Sequence, residues 1–344
     1  MKQSIVIGMK PASEKPDSRL NHRALFVSIA SVVMIVFSSL YEKYGSYCKT
    51  SSVPETVITS AVPEEYVSAA AHQGTLTEIT YTTKDYSIDP MTPITKTAYV
   101  YLPYGYDAEA DMQYDVLYTM HGWMMKAQDY LDESFHIRDV FDHLIEDEKT
   151  RPFIAVCLTF DAHNEPQTYE RSVEELAVFQ YELRNDVIPA VEAQLSTYAA
   201  SSRINDLRRS RSHRAFAGFS MGSVTTWHQF LFNLDLIHSF VPMSGDSWII
   251  GQNGGLQHPE KTVSRLVSAI HDGWYKPTDY LIYCAVGAQD PMFPQVDSQV
   301  QEMMRRQEFS TENMIYGIKQ DGYHDMNAVR EYFFNALPVI FPPD

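Results

Sequence analysis

The sequence predicts a doubly wound α/β sandwich, a mostly parallel sheet with helices on both faces and an antiparallel start made by its first two strands. Short runs rich in β-branched and aromatic residues alternate with longer helical patterns from about Gly74 to the C-terminus. The middle and later runs are almost continuously apolar, as strands covered on both faces must be. With 344 residues, 44% of them hydrophobic and 12% aromatic, the chain has material for one large core plus an appendage.

Taken in order, residues 1–23 carry five basic residues (Lys2, Lys10, Lys15, Arg19, Arg23) against Glu14 and Asp17. Residues 24–40, ALFVSIASVVMIVFSSL, are uncharged. A basic flank before an apolar stretch reads as an export signal with its N-terminus inside. Its 17 residues nearly reach the ~18 to 20 needed to span a bilayer. No A-x-A-like cleavage site follows, and Cys48 lacks the small-residue context of lipidation. We read a single-pass signal anchor behind a cytoplasmic 1–23 segment, with a cleaved signal peptide and a buried core helix as the alternatives. Residues 41–73, rich in Ser, Thr, Pro, Glu and Ala, read as an extracellular linker, and 74–344 as the folded domain.

The strand candidates are TLTEITYTT, KTAYVYLP, DVLYTMHG, FIAVCLTF, RAFAGFS, HSFVPMSG, LIYCAVG and NMIYGIK. Helical patterns run from about Ser172 to Leu195, Met221 to Leu234, Thr262 to Ile270, Val296 to Arg306 and Met326 to Leu337. A formal charge of −17 argues against nucleic acid as a partner. The basic run Arg208, Arg209, Arg211 and Arg214 reads as a solvated loop. Cys48, Cys157 and Cys284 are too few for a disulfide framework, and the last two sit in apolar runs as core filling. Zinc-finger and HExxH spacings are absent from the sequence, so no cofactor or metal is expected.

The chemistry centres on Gly218-Phe219-Ser220-Met221-Gly222, directly between a strand pattern and a helix pattern. A G-x-S-x-G motif in that context is the nucleophile elbow of α/β-hydrolases: a serine on a strained strand-to-helix turn, with glycines that let strand and helix approach. A simple glycine-rich turn is the alternative. A serine hydroxyl needs a histidine base and the histidine a carboxylate, which follow in the order acid, then histidine. Asp290, in VGAQD, lies 70 residues after Ser220, and His324, in GYHD, another 34 on. Asp246 also follows a strand and competes as the acid, whereas Asp321 and Asp325 read as loop-solvating or helix-capping residues. His213, His228, His238 and His271 precede Asp290 on strands or helices and read as ordinary surface or half-buried residues. For the oxyanion hole we assign the amide of Met221 and, from the His121-Gly122-Trp123 loop, the amide of Trp123 with Gly122 close behind. Trp123 and Trp248 are the candidates to stack on substrate, with Trp227 and Trp274 read as packing residues.

The run from TYTTKDYSIDPMTPITKTAYVYLPYGYD through YDVLYTMHGW, AFAGFSMGS, VGAQD and GYHDMNAVREYF resembles the bacterial carbohydrate esterases that include feruloyl and acetylxylan esterases, and the wider esterase D group. The likeness extends from Gly74 to the C-terminus. It implies Ser220, Asp290 and His324 as triad, and Gly122-Trp123 with Met221 at the oxyanion hole. Ser223 stands where many such proteins continue the elbow with another glycine. The function so implied is an exported serine ester hydrolase acting on feruloyl or acetyl esters of plant polysaccharide, small or polymer-linked. An acyltransferase or thioester hydrolase with the same triad, and a noncatalytic binding module, are the competing classes.

Overall fold

The computed structural model describes residues 59–109 and 111–343. The expected segments 1–23 and 24–40, Cys48 and the first part of the expected linker lie outside the described residues. Among the described residues no helix is long and apolar enough to cross a membrane.

All eight expected runs are strands: β1 (Thr75–Asp85), β2 (Thr92–Leu102), β3 (Asp115–Met120), β4 (Phe153–Leu158), β5 (Arg214–Phe219), β6 (Ser239–Met243), β7 (Leu281–Gly287) and β8 (Met314–Lys319). They form one sheet in the order β1-β2-β4-β3-β5-β6-β7-β8. β1 and β2 pair antiparallel, as does β2 with β4, and all later neighbours are parallel. Every residue of β3, β4, β5 and β6 is buried, which is why their sequences do not alternate with polar residues.

Alternate residues feed two cores. Val116, Tyr118 and Phe216 join one, Leu117, Ala215 and Ala217 the other. The second core is closed by α1 (Ile137–Glu146) through Val140 and Phe141 and by α6 (Met326–Ile340) through Tyr332 and Phe333. The first is closed by α2 (Tyr169–Leu176), α3 (Met221–Phe232), α4 (Pro259–Asp272) and α5 (Phe293–Met303), with the helical run Phe179–Glu192 between α2 and α3.

Three differences from the sequence reading have physical causes. The single helix expected from Ser172 to Leu195 breaks after Leu176 and widens into a π segment at Leu183–Val187, where Ile188 N–H reaches back to the Leu183 carbonyl. Pro189, which has no N–H to donate, follows directly. The linker reading fails from Pro63 onward: Tyr66 is 1% exposed, stacked on His143 at 4.6 Å and set edge-on to Phe334 at 5.4 Å. The arginine run is no solvated loop either. Arg214 opens β5 fully buried, its guanidinium paired with the buried Glu192 at 2.7 Å and donating to Ser210 Oγ at 2.6 Å. Arg208 pairs with Asp235 at 2.8 Å. Cys157 and Cys284 are core residues, and burial raises both thiols well above their ordinary range.

Candidate active site

β5 runs straight into Ser220, and α3 begins at the next residue. Ser220 has φ 57° and ψ −117°, a backbone that costs a side-chain-bearing residue on the order of 1–3 kcal/mol. The flanking glycines explain how it is held. A Cβ on Gly218 would lie 2.1 Å from the Gly222 carbonyl oxygen, and one on Gly222 would lie 2.0 Å from the Met120 carbonyl oxygen. Ser220 N–H extends the β5–β6 pairing by donating to the Met243 carbonyl at 2.9 Å. Ser223, the position where a further glycine is common in the resembling group, is fully buried and donates to the Gly245 carbonyl at 2.7 Å. Trp227 Nε1 donates to the same carbonyl at 3.1 Å.

His324 stands between β8 and α6, and its Nε2 lies 3.0 Å from Ser220 Oγ. Its Nδ1 lies 2.9 and 3.0 Å from the two carboxylate oxygens of Asp290. The ring rests on Phe219 at 4.5 Å between centroids. Asp290, fully buried just past β7, also accepts from Met292 N–H at 2.7 Å. Contact between the two loops brings Asp290 and His324 together. Gln289 N–H donates to the Gly322 carbonyl at 3.0 Å. A Cβ on Gly287 would strike that carbonyl oxygen at 2.1 Å.

The competing acid points elsewhere. Asp246 is buried and accepts from Trp248 Nε1 at 3.0 Å and Gly255 N–H at 2.7 Å, and burial pushes its carboxyl up to about 6. Asp325 caps α6 by accepting from Ala328 N–H at 2.9 Å, and the exposed Asp321 pairs with Lys319 at 2.8 Å. His228, buried in α3, is bonded to the Val224 carbonyl at 2.9 Å, and His213 to Asp115 at 2.7 Å.

Two backbone segments border the serine, the first turn of α3 and the loop after β3. Ser223 and Val224 N–H donate to the Ser220 carbonyl at 2.9 and 3.2 Å, and Met221, the first residue of α3, has no helix carbonyl before it to donate to. The loop after β3 packs on the serine, with a Cβ on Gly122 falling 3.2 Å from Ser220 Cβ. Trp123 and Trp248 are brought into one group by Tyr169, which sequence reasoning passed over at the head of α2. Its ring lies 5.2 Å edge-on to Trp123 and 6.5 Å from Trp248, and its hydroxyl bonds Gln252 at 3.2 Å. Trp123 Nε1 is held by the Gln167 carbonyl at 3.3 Å. Trp227 is core, and Trp274, 90% exposed, lies before β7 at the sheet edge away from Ser220.

A model of the Esterase family matches residues 92–342. Endo-1,4-beta-xylanase Y of Acetivibrio thermocellus is 30% identical over 285 residues, covering 81% of this chain. This chain spans 24% of that xylanase's length. The feruloyl esterase module of Clostridium thermocellum, solved as a serine-to-alanine variant complexed with sinapinate, is 28% identical with a TM-score of 0.70 over 85% of this chain and 96% of that one. The CE1 ferulic acid esterase of the anaerobic fungus Anaeromyces mucronatus is 21% identical, with a TM-score of 0.61 over 82% and 96% of the two chains, a likeness of fold.

Proposed function

The chain belongs to the Esterase family, and from that premise we propose that it hydrolyses feruloyl or acetyl esters of plant polysaccharide through an acyl-enzyme on Ser220. The observation that carries this is the unbroken hydrogen-bonded series Ser220–His324–Asp290 on a backbone strained at the serine. A noncatalytic module would have no use for that strain.

In the proposed reaction Ser220 Oγ attacks the ester carbonyl carbon while His324 Nε2 takes its proton. Asp290, hydrogen-bonded at Nδ1, holds the tautomer that leaves Nε2 free and stabilises the imidazolium. The carbonyl oxygen becomes an oxyanion between the Met221 and Trp123 amides. Collapse of the tetrahedral intermediate breaks the C–O bond to the alcohol, which leaves with the proton from His324. Water then attacks the acyl-serine, giving a proton to His324, and the free acid departs as that proton returns to Ser220 Oγ. The aromatic group Trp123, Tyr169 and Trp248 suits a flat cinnamoyl ring or a sugar face. The feruloyl esterase names of the similar proteins support the former.

The test is a fluorophosphonate probe together with turnover of methyl ferulate, p-nitrophenyl acetate and acetylated xylan. Wild type should be labelled and turn over at least one of these esters, and Ser220→Ala should lose labelling and about 10⁴-fold in kcat. Labelling that persists in Ser220→Ala would place the nucleophile elsewhere. We also propose that residues 24–40 anchor the domain to the cell membrane with its active site outside.

A further inference from the structure

Beneath the oxyanion loop lies a buried polar series that the reaction above does not use. His121 follows β3 directly and is fully buried. Its Nδ1 lies 2.7 Å from the Gly122 carbonyl oxygen and its Nε2 2.8 Å from Thr159 Oγ1. A carbonyl can only accept, so Nδ1 carries the proton. In the neutral ring Nε2 must then accept from the Thr159 hydroxyl. The ring is neutral because burial pushes its pKa down to about 4.

Thr159 is fixed in turn. Its hydroxyl oxygen accepts from Asp161 N–H at 3.0 Å, and the other acceptor within reach of its proton, Asp161 Oδ2, is farther off at 3.3 Å. Its carbonyl accepts from the buried Lys96 Nζ at 2.7 Å, which is held by Glu182 at 2.8 Å. With the Thr159 hydroxyl donating to Nε2, the nearer of its two acceptors, the Nδ1 proton is left to the Gly122 carbonyl.

That carbonyl belongs to the peptide whose N–H is that of Trp123. In a trans peptide C=O and N–H point opposite ways, so a carbonyl drawn toward His121 turns the Trp123 N–H away from that ring. Met125 N–H donates to the same oxygen at 3.2 Å, closing a turn with Met124 at φ 65°, where glycine would be favoured. The turn alone is strained, and the imidazole supplies the second restraint.

We infer that His121 is a positioning residue: its Nδ1–H fixes the Gly122–Trp123 peptide with the Trp123 N–H turned toward the developing oxyanion, and the Thr159 hydroxyl selects the tautomer that allows it. The inference rests on the serine-esterase reading. With the other tautomer, an Nδ1 lone pair would face the carbonyl oxygen and push the peptide out of place.

The test uses the whole chain in four variants, each checked by thermal melting and active-site titration with a fluorophosphonate. His121→Leu removes the donor, while His121→Asn keeps an N–H near the Nδ1 position. Thr159→Val keeps the shape but frees Nε2 to hold the proton, and Thr159→Ser restores the hydroxyl. On p-nitrophenyl acetate, kcat per titrated serine should fall about 10²-fold in His121→Leu and about 10-fold in Thr159→Val, with KM changed less than about twofold. The two conservative variants should recover most of the loss. Should His121→Leu fail to fold, the Thr159 pair carries the test. A folded Thr159→Val with wild-type kcat, or losses confined to KM, overturns the inference while leaving the esterase reading intact. A labelled Ser220→Ala overturns the reading beneath it, and the inference with it.

Discussion

Two buried aspartates follow Ser220 just past the ends of β6 and β7, and their partners separate them. Asp290 faces His324 Nδ1 with both oxygens, whereas Asp246 spends its oxygens on Trp248 Nε1 and Gly255 N–H. Asp290→Asn should therefore lower kcat by on the order of 10² to 10⁴ with little change in KM, because the lost interaction belongs to the transition state. Asp246→Asn should act on substrate binding at most, through Trp248. If Asp246→Asn is the more damaged in kcat, the acid has been misassigned. Asp246 also makes a pH prediction. Its folded pKa, about 6, stands above the ~3.9 of an unfolded aspartate, so its burial opposes folding once it ionises above about pH 6 and that penalty fades as pH falls toward 4. The Tm of Asp246→Asn measured against wild type should consequently be most favourable at pH 7 and decline toward pH 4. A difference that stays flat over that range would mean Asp246 is not held with a raised pKa.

At the scale of elements, the junction of β5 with α3 is the most constrained place in the molecule. Gly222 has room only for hydrogen, because the obstruction is the backbone of β3 rather than a movable side chain. Gly222→Ala should cost about 3 kcal/mol, the upper part of the overpacking range, and lose fluorophosphonate labelling even below its melting temperature. Ser223→Ala removes one hydrogen bond without a clash, so it should cost about 1 kcal/mol and keep labelling. Equal behaviour of the two variants would contradict this account of the turn. Elsewhere elements were less evenly legible. α1 went unread although Ile137, Val140, Phe141 and Leu144 recur at helical spacing and are all buried. The pattern from Ser172 to Leu195 reads as a single helix because periodicity does not register a π segment.

At the scale of the whole molecule, sheet order does the assembling. β5, β6, β7 and β8 run side by side as one half of the sheet, so Ser220, Asp290 and His324, which follow β5, β7 and β8, emerge from its carboxyl edge within reach of one another. A formal charge of −17 repels phosphate-rich polymers and selects nothing among neutral ones. For the proposed anchor, cells expressing the full chain should retain esterase activity in the membrane fraction, and protease added to intact protoplasts should remove it. A protected domain, or a soluble mature chain in the medium lacking residues 24–40, would refute the anchor.

The sequence by itself determined the strands and the position of Ser220. Burial on both faces writes itself locally as apolar runs such as FIAVCL and LIYCAVG, and a strained turn between strand and helix demands glycine at Gly218 and Gly222. Chain order also singled out Asp290 and His324, but it left Asp246 open. Only the tertiary structure sets Asp290, and not Asp246, against His324 Nδ1. It alone gathered Trp123, Tyr169 and Trp248, buried Arg214 against Glu192, packed Tyr66 onto α1 and α6, and aimed His121 at the Gly122 carbonyl. Each of these depends on which segments the sheet order and loop contacts bring together, and separation along the chain carries no record of that distance.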